Sequence, residues 1–403
     1  FRVAARHCVC TCLALFAYAI EVRAIHVRIG WVEFKQSATD PVAGVNVGAC
    51  MLAMYEANAR SGRISSSLGS LRNNFHFRLA GRVEYDTNDP ESWAVQLNAF
   101  LDANSVDALV FQTWSSYAIA VAHIVNAKGI PTILVGSATS PMFTTNANLA
   151  WHKYYRMAPS SKSVMPKFCD FVANASFSHM AVLYVKEDAW SNSMAQLTDK
   201  TLPTCVPQGV HMNLYPMSAE DNEEGDRTVV AAIRQSGVKV IFSLVYMRTP
   251  SIERLLQDEG MAGSEARAKG YALIILDEEQ HASSHGTVAL RNPVKLTQAP
   301  GPAADAFQAM WEENMPQLNF EFPGKTQPTA LARTTLDRDA LYTSSFDSIT
   351  ALAVAVDAVL DNVSTTTNLK QHISTQLDLG ISFAPLGLYA SFSGAPWVDQ
   401  ANE

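Results

Sequence analysis

Helices alternate with short, wholly apolar strands along most of this chain, and that rhythm admits few folds. The clearest stretch runs from Val106 to Met194. Ala108–Phe111 and Thr132–Val135 read as buried strands, with a helix over Ser116–Ala127 between them. A Ser115-Ser116 turn follows the first strand, and Gly136-Ser137-Ala138-Thr139-Ser140-Pro141 follows the second. Strands apolar on both faces and joined through helices form parallel sheets covered on both sides. In such a sheet the two hydroxyl-rich turns fall side by side at the carboxyl ends of the strands, where open sheets bind ligands. No catalytic base or nucleophile motif accompanies them, so the segment is suited to holding a small molecule rather than transforming it.

The same rhythm extends in both directions. Ile25–Phe34 alternates, with Val27, Ile29 and Trp31 inward, and reads as a first strand. A helix over Val45–Ala59 ends at Arg60-Ser61-Gly62, a C-cap signal. Phe75–Tyr85 is a second strand, and Asp86-Thr87-Asn88-Asp89-Pro90 breaks it and caps a helix over Glu91–Ala103. After Pro159 the pattern restarts. Helices over 163–174, 191–200, 228–236 and 251–259 alternate with strands over 180–185, 210–215, 238–244 and 271–276. A loop-like stretch over 286–302 precedes helices over 305–314, 344–360 and 369–377, and Leu386–Phe392 alternates as a last strand. A chain of 403 residues is too long for one core and suits two lobes of roughly 150–200 residues.

Hydrophobic content of 48% and charged content of 17% describe a folded globular chain. A net charge of −8 with no Lys/Arg stripe disfavours nucleic-acid binding. Residues 1–24 stand apart: Arg2 and Arg6 precede an apolar run from Cys8 to Ile20, and Val22-Arg23-Ala24 offers a cleavage site. That layout is a secretory signal peptide, its apolar run of about 13 residues falling short of a membrane span. The chain opens on Phe1 rather than Met, so it reads as a piece of a longer protein, and any membrane anchor is expected beyond Glu403.

Three of the six cysteines, Cys8, Cys10 and Cys12, fall in the signal segment, leaving Cys50, Cys169 and Cys205. A Cys169–Cys205 bridge would add about 3–4 kcal/mol by closing its loop, and three buried thiols is the alternative reading. Two N-x-Ser sequons, at Asn174 and Asn362, are candidate glycosylation sites near helix ends.

The order of these pieces resembles the extracellular ligand-binding region of natriuretic-peptide receptors and class C receptors, and the branched-chain amino-acid-binding proteins of bacteria. The resemblance runs from about Ile25 to Phe392. It is carried by Ser115-Ser116 with Ile130-Pro131, by Gly136 to Pro141, and by Tyr155-Arg156-Met157-Ala158-Pro159-Ser160. Val182-Leu183-Tyr184 before Asp188-Ala189-Trp190-Ser191 and Phe346-Asp347-Ser348-Ile349 with Ala351-Leu352-Ala353 complete it. The resemblance implies an α/β clamshell of the type I periplasmic-binding-protein kind: two doubly wound parallel-sheet lobes joined by three crossovers, near 155–159, 286–292 and 379–383. Lobe I would comprise 25–157 and 288–380, lobe II 158–287, and 381–403 would hold a strand returning to lobe II. A ligand in the cleft would stabilise closure. Dimerisation through lobe I, near Val45–Ala59 and Glu91–Ala103, is a further expectation by analogy.

The candidate ligand-binding residues are Trp114, Ser115, Ser116, Ser137, Ala138, Thr139, Ser140, Trp190, Tyr246 and Asp277. Ser115 and Ser116 stand where a helix begins, and hydroxyls beside free backbone N–H groups make an anion site; plain N-capping is the alternative. Ser137 to Ser140 resemble the turn that meets a ligand's amino group and carboxylate. Trp190 falls where relatives carry a Tyr over the ligand, though a lobe II core position suits an indole equally. Asp277 ends a strand and could pair an ammonium group, and Tyr246 follows another strand. Trp114 and Ser191 stand where the family pattern has Gly. His281 and His285 are four apart but lie in a loop, so no metal site and no cofactor is expected. The chain has no G-x-S-x-G, G-x-G-x-x-G, P-loop or H-E-x-x-H motif. The expected partner is a small amino-acid-like molecule or a peptide. A receptor ectodomain is the first reading and a solute-binding protein serving a transporter the second.

Overall fold

The computed structural model describes residues 25–35, 44–86, 90–136, 140–145, 154–157, 160–220, 222–245, 248–277, 288–291, 302–322, 327–331, 341–362, 368–383 and 399–400. The first lobe opens with β1 (Ile25–Phe34), α1 (Val45–Ala59), a single turn α2 (Ser66–Gly69), β2 (Phe75–Tyr85) and α3 (Pro90–Ala103). It continues through β3 (Ala108–Gln112), α4 (Ser115–Ala127), β4 (Thr132–Val135), the short α5 (Met142–Thr145) and β5 (Tyr154–Arg156). The second lobe contains α6 (Met165–Asn174), β6 (His179–Val185), α7 (Ala189–Cys205), β7 (His211–Met217) and α8 (Glu223–Ser236). It runs on through β8 (Val240–Ser243), α9 (Thr249–Asp258), α10 (Ser264–Ala268), β9 (Ala272–Asp277) and β10 (Val288–Arg291). Then come α11 (Pro302–Glu321), α12 (Leu341–Asn362), α13 (Leu369–Asp378) and β11 (Asp399–Gln400).

The lobe I sheet has the order β11-β5-β4-β3-β1-β2, and the lobe II sheet the order β10-β9-β8-β6-β7. Every pairing is parallel except β11 with β5. Each sheet therefore winds outward in both directions from its first strand. The order reverses between β1 and β3 in lobe I, and between β6 and β8 in lobe II. Crevices for ligands open at the carboxyl ends of such strand pairs.

Strand alternation divides each lobe into two cores. In lobe I, Val27, Ile29, Trp31, Ala108, Val110 and Ile133 face α1, α11, α12 and α13. Val32, Leu109, Phe111 and Leu134 face α3 and α4. Lobe II repeats the scheme, with Val182 and Phe242 under α6 and α7, and Leu183 and Ile241 under α8 and α9. Within α12 the span Tyr342–Asp361 is apolar enough for a membrane helix, but 83% of it is buried inside the fold. It is the central core helix of lobe I, packed against α1 and α13. Packing there is close: a Cβ on Gly48 of α1 would stand 2.2 Å from Trp311 Cη2 on α11.

Three expectations change. β10 pairs with β9, so lobe II reaches at least to Arg291 rather than ending at 287. β11 pairs with β5, so residues 399–400 join the lobe I sheet and not lobe II. In α1 every residue from Val45 to Met54 is buried, which leaves that stretch no surface for a dimer. On α3, by contrast, Val95 is 70% exposed. The signal segment and the strand expected over Leu386–Phe392 lie outside the described residues. Cys169 on α6 and Cys205 at the end of α7 are bonded, and Cys50 is a buried free thiol.

Two stability predictions follow from this packing. Gly48→Val should lose about 1–3 kcal/mol by overpacking against Trp311, read as a lower urea midpoint at unchanged slope. The double variant Cys169→Ala/Cys205→Ala should lose about 3–4 kcal/mol, the closure entropy of its loop, and the wild type should show the same loss under reductant.

Candidate functional site

Helix N-termini stand at the carboxyl ends of both sheets, and two of them meet across the lobes. In lobe I, α4 begins three residues after β3. Its N-cap residue, Trp114, is extended at φ −92° and ψ 159° and makes no side-chain cap. An indole has no acceptor oxygen to offer the first turn. The ring instead stacks on Phe34 at the end of β1, with centroids 5.3 Å apart. Ser115 is 2% exposed, and its hydroxyl accepts from the backbone N–H of Ser140 at 3.1 Å. The two turns predicted to lie side by side are thus tied together.

In lobe II, α7 begins with Asp188 as its N-cap, and Asp188 Oδ1 accepts from Ser191 N–H at 2.7 Å. The other oxygen, Oδ2, accepts the Ser116 hydroxyl of lobe I at 3.2 Å. Ser116 Oγ in turn accepts from Ala189 N–H at 3.2 Å. Beside it, Ser140 Oγ lies 2.7 Å from Ser193 Oγ and 3.3 Å from the Ala189 carbonyl oxygen. Four polar contacts therefore cross between the lobes, all on the first turns of α4 and α7 or the loop after β4. Burial pushes the Asp188 carboxyl up from its ordinary value, against the N–H groups and the Ser116 hydroxyl that favour its charged form.

The candidate residues separate accordingly. Ser115, Ser116 and Ser140 gather at the junction, with Trp114 alongside. Trp190 does not: it is 3% exposed, packs in the lobe II core, and donates its indole N–H to Ser161 Oγ at 2.8 Å. A ring enclosed in that way has no face to lay over a ligand, and core packing is its role in this arrangement. Ser191 also has a local duty, accepting from Val185 N–H at 2.7 Å and binding the end of β6 to the first turn of α7. Ser137, Ala138, Thr139 and Tyr246 lie outside the described residues, as does the side chain of Asp277. Asp188 and Ser193 were missed as junction residues. The signal available for Asp188 was its place two residues before an aromatic at a helix start, which reads as capping alone. Among the described residues no group of three or more His, Cys, Asp or Glu is arranged to hold a metal ion.

The junction has a pH signature. A carboxyl raised in the folded state binds its proton more tightly there than in the unfolded chain. Its contribution is then complete below the unfolded value and is lost as pH rises through the folded one. The stability of wild type relative to Asp188→Asn should therefore grow as pH falls through the carboxylate range, measured by urea unfolding at stepped pH. Asp188→Ala should cost about 0.5–2 kcal/mol at neutral pH through loss of the α7 cap.

Comparison with known proteins adds three findings. The family model described as receptor family ligand binding region matches residues 62–394. No curated protein matches the sequence. Among solved structures, the chain is similar to an ABC transporter substrate-binding protein from Desulfitobacterium hafniense in complex with Leu. That match has 16% identity and a TM-score of 0.55 over 93% of this chain and 100% of that one. It is similar too to a solute-binding protein of an R. palustris ABC transporter in complex with benzoate, with 13% identity and a TM-score of 0.56 over 92% and 91%. A second R. palustris solute-binding protein, in complex with 4-hydroxybenzoate, matches with 14% identity and a TM-score of 0.55 over 94% and 89%. At these identities the likeness is one of fold: two lobes of the type I periplasmic binding proteins.

Proposed function

This chain belongs to the receptor family ligand binding region, and from that premise we propose that it is an extracytoplasmic solute-binding protein whose lobes close on a small carboxylate. The observation that carries the reading is Asp188. A carboxylate is already held between the N-termini of α4 and α7, by a hydroxyl of one lobe and an N–H of the other. Helix N-termini favour negative charge through their free N–H groups and aligned dipoles. A ligand carboxylate entering as the lobes part would take over the Ser116 hydroxyl and meet the free N–H groups of the first turn of α4. Closure would then draw on the ligand's preference for the closed state. Leu, benzoate and 4-hydroxybenzoate, bound by the similar structures, are all carboxylates, which supports this class.

A second reading, the ectodomain of a membrane receptor, is favoured by the description of the family model itself. Both readings place the chain outside the cytoplasm, where a Cys169–Cys205 bridge persists. They differ in what closure reports to: a transporter, or a signalling domain joined to the same chain. Neither requires catalysis or a cofactor.

Thermal-shift titration of the purified protein against amino acids and aromatic carboxylates tests the reading. A ligand that binds only the folded state raises the melting temperature. The expected result is a rise with at least one small carboxylate, abolished in Ser116→Ala/Ser140→Ala. A well-folded sample that answers to no carboxylate would contradict it. A separate test bears on the secretory route. Asn174, Ala175 and Ser176 are all exposed at the end of α6, so protein secreted from eukaryotic cells should lose mass on treatment with peptide-N-glycosidase, and Asn174→Gln should remove that loss.

A further inference from the structure

The amino edge of the lobe I sheet, opposite the crevice, carries a cluster of basic side chains that the cleft does not use. β1 and β2 begin with the same pattern, His26-Val27-Arg28 and His76-Phe77-Arg78. The parallel register sets His26 against His76 and Arg28 against Arg78. Val27 and Phe77 point into the core, so alternation sends all four basic side chains to the other face. They form a two-by-two patch. Its imidazole centroids are 6.3 Å apart, and His26, Arg28 and Arg78 are exposed. Lobe II starts its sheet in the same way, with His179 against His211, but the next residues on that face are the uncharged Ala181 and Asn213.

Like charges set opposite one another on neighbouring strands repel, and only part of this patch is neutralised from within. Arg28 is paired, its Nε and one Nη binding the Asp107 carboxylate at 2.9 and 3.1 Å. Among the described residues the side chains of His26, His76 and Arg78 make neither a hydrogen bond nor an ion pair. These three line an open pocket of about 570 Å³ together with Asn58, Glu321 and Phe322. Asn58 is committed, since both its amide atoms bond the Phe77 backbone, at 3.0 and 2.7 Å. Glu321, at the end of α11, is the carboxylate that reaches the pocket. Arg60, bound to the carbonyl oxygens of Asn73 and Phe75, adds its charge to the field at His76. Arg60 and Arg78 against Glu321 leave the pocket positive at neutral pH, and each imidazole that takes a proton adds to the excess.

We propose that His26, Arg28, His76 and Arg78 form a binding site for a sulfate or phosphate group, free or carried on a polysaccharide, which is held more tightly as the solution becomes acidic. Arg78 brings five N–H donors, Arg28 keeps the Nη that Asp107 leaves, and a protonated imidazole donates through both nitrogens. A guanidinium meets the edge of a tetrahedral oxyanion with two parallel N–H···O bonds. The proton follows the anion for an electrostatic reason. Burial, and then the positive charges of Arg60, His26 and Arg78, push the His76 imidazole below its ordinary value. A bound dianion opposes those charges. Binding therefore strengthens the hold of His76 on its proton, and protonation strengthens the hold on the anion. The site lies at the other edge of the sheet from the cleft and does not depend on the carboxylate reading.

Calorimetric titration of the protein with sodium sulfate, against sodium chloride at matched ionic strength, tests the site at about pH 5.5 and about pH 7.5. Sulfate keeps its charge over that range, so a change with pH belongs to the protein. The expected result is sulfate binding at the lower pH that weakens about tenfold at the higher, the worth of one unit of pKa shift on one imidazole. Arg78→Gln should abolish sulfate binding, and His26→Gln/His76→Gln should remove its pH dependence. His179→Gln/His211→Gln, the matching pair in lobe II, should change neither. Arg78→Gln relieves a like-charge contact at an exposed position, so in chloride it should unfold at no lower a urea concentration than wild type, which separates lost binding from lost fold. Absence of sulfate binding by wild type at the lower pH would overturn the proposal. So would binding that survives Arg78→Gln, a pH dependence that survives the loss of both lobe I histidines, or an equal loss in the lobe II variant. A heparin tetrasaccharide that binds more tightly than sulfate, and only while Arg78 is present, would assign the group to a polysaccharide; equal or weaker binding would assign it to a free anion.

Discussion

A parallel sheet must be covered on both faces, so the part of it left to face the cleft is its carboxyl edge. The geometry of the cleft follows from that constraint. Helices α1, α12 and α13 close one face of lobe I, α3 and α4 the other, and lobe II is built the same way. Two such sheets, each with its helix N-termini at one edge, have a natural way to act together: edge against edge. The meeting of α4 and α7 through Ser116, Asp188, Ser140 and Ser193 is that arrangement realised.

The same constraint sorts the polar residues. Within the inner strands β3, β4, β6 and β8 nearly every side chain is apolar, and polar residues gather where strands end. Glu33 closes β1, Gln112 closes β3, Ser115 and Ser116 open α4, and Asp188 opens α7. Some of these are fully satisfied: Asp188 is capped and cross-bonded, and Ser191 ties a strand to a helix. Others, in lobe I, are buried and half-paired.

Much of the architecture was legible from periodicity alone. The strand–helix rhythm located the long helices of both lobes, several of them short by one to two turns at one end, because runs such as Ala108–Phe111 and Ile133–Val135 have no polar residue on either face. The hydroxyl turns were legible for the same reason, since Ser115 and Ser140 interrupt apolar segments. Pairing across distance was not. Nothing in the local pattern of Val288–Arg291 says that it joins β9, or in Asp399–Gln400 that it joins β5. For Trp190 the sequence left cleft and core equally open, because an aromatic at a helix start looks alike in either; its burial beside Met194 and its bond to Ser161 put it in the lobe II core.

The central claim is that these lobes hinge about a cleft and that a small carboxylate draws them together. It is tested most directly by a distance measured between spin labels on Asp102→Cys of α3 and Asp199→Cys of α7, both at exposed positions. The account predicts a broad or two-population distribution in the free protein that collapses to one short distance when a binding carboxylate is added. A single distribution, unchanged by every solute that stabilises the protein, would contradict it.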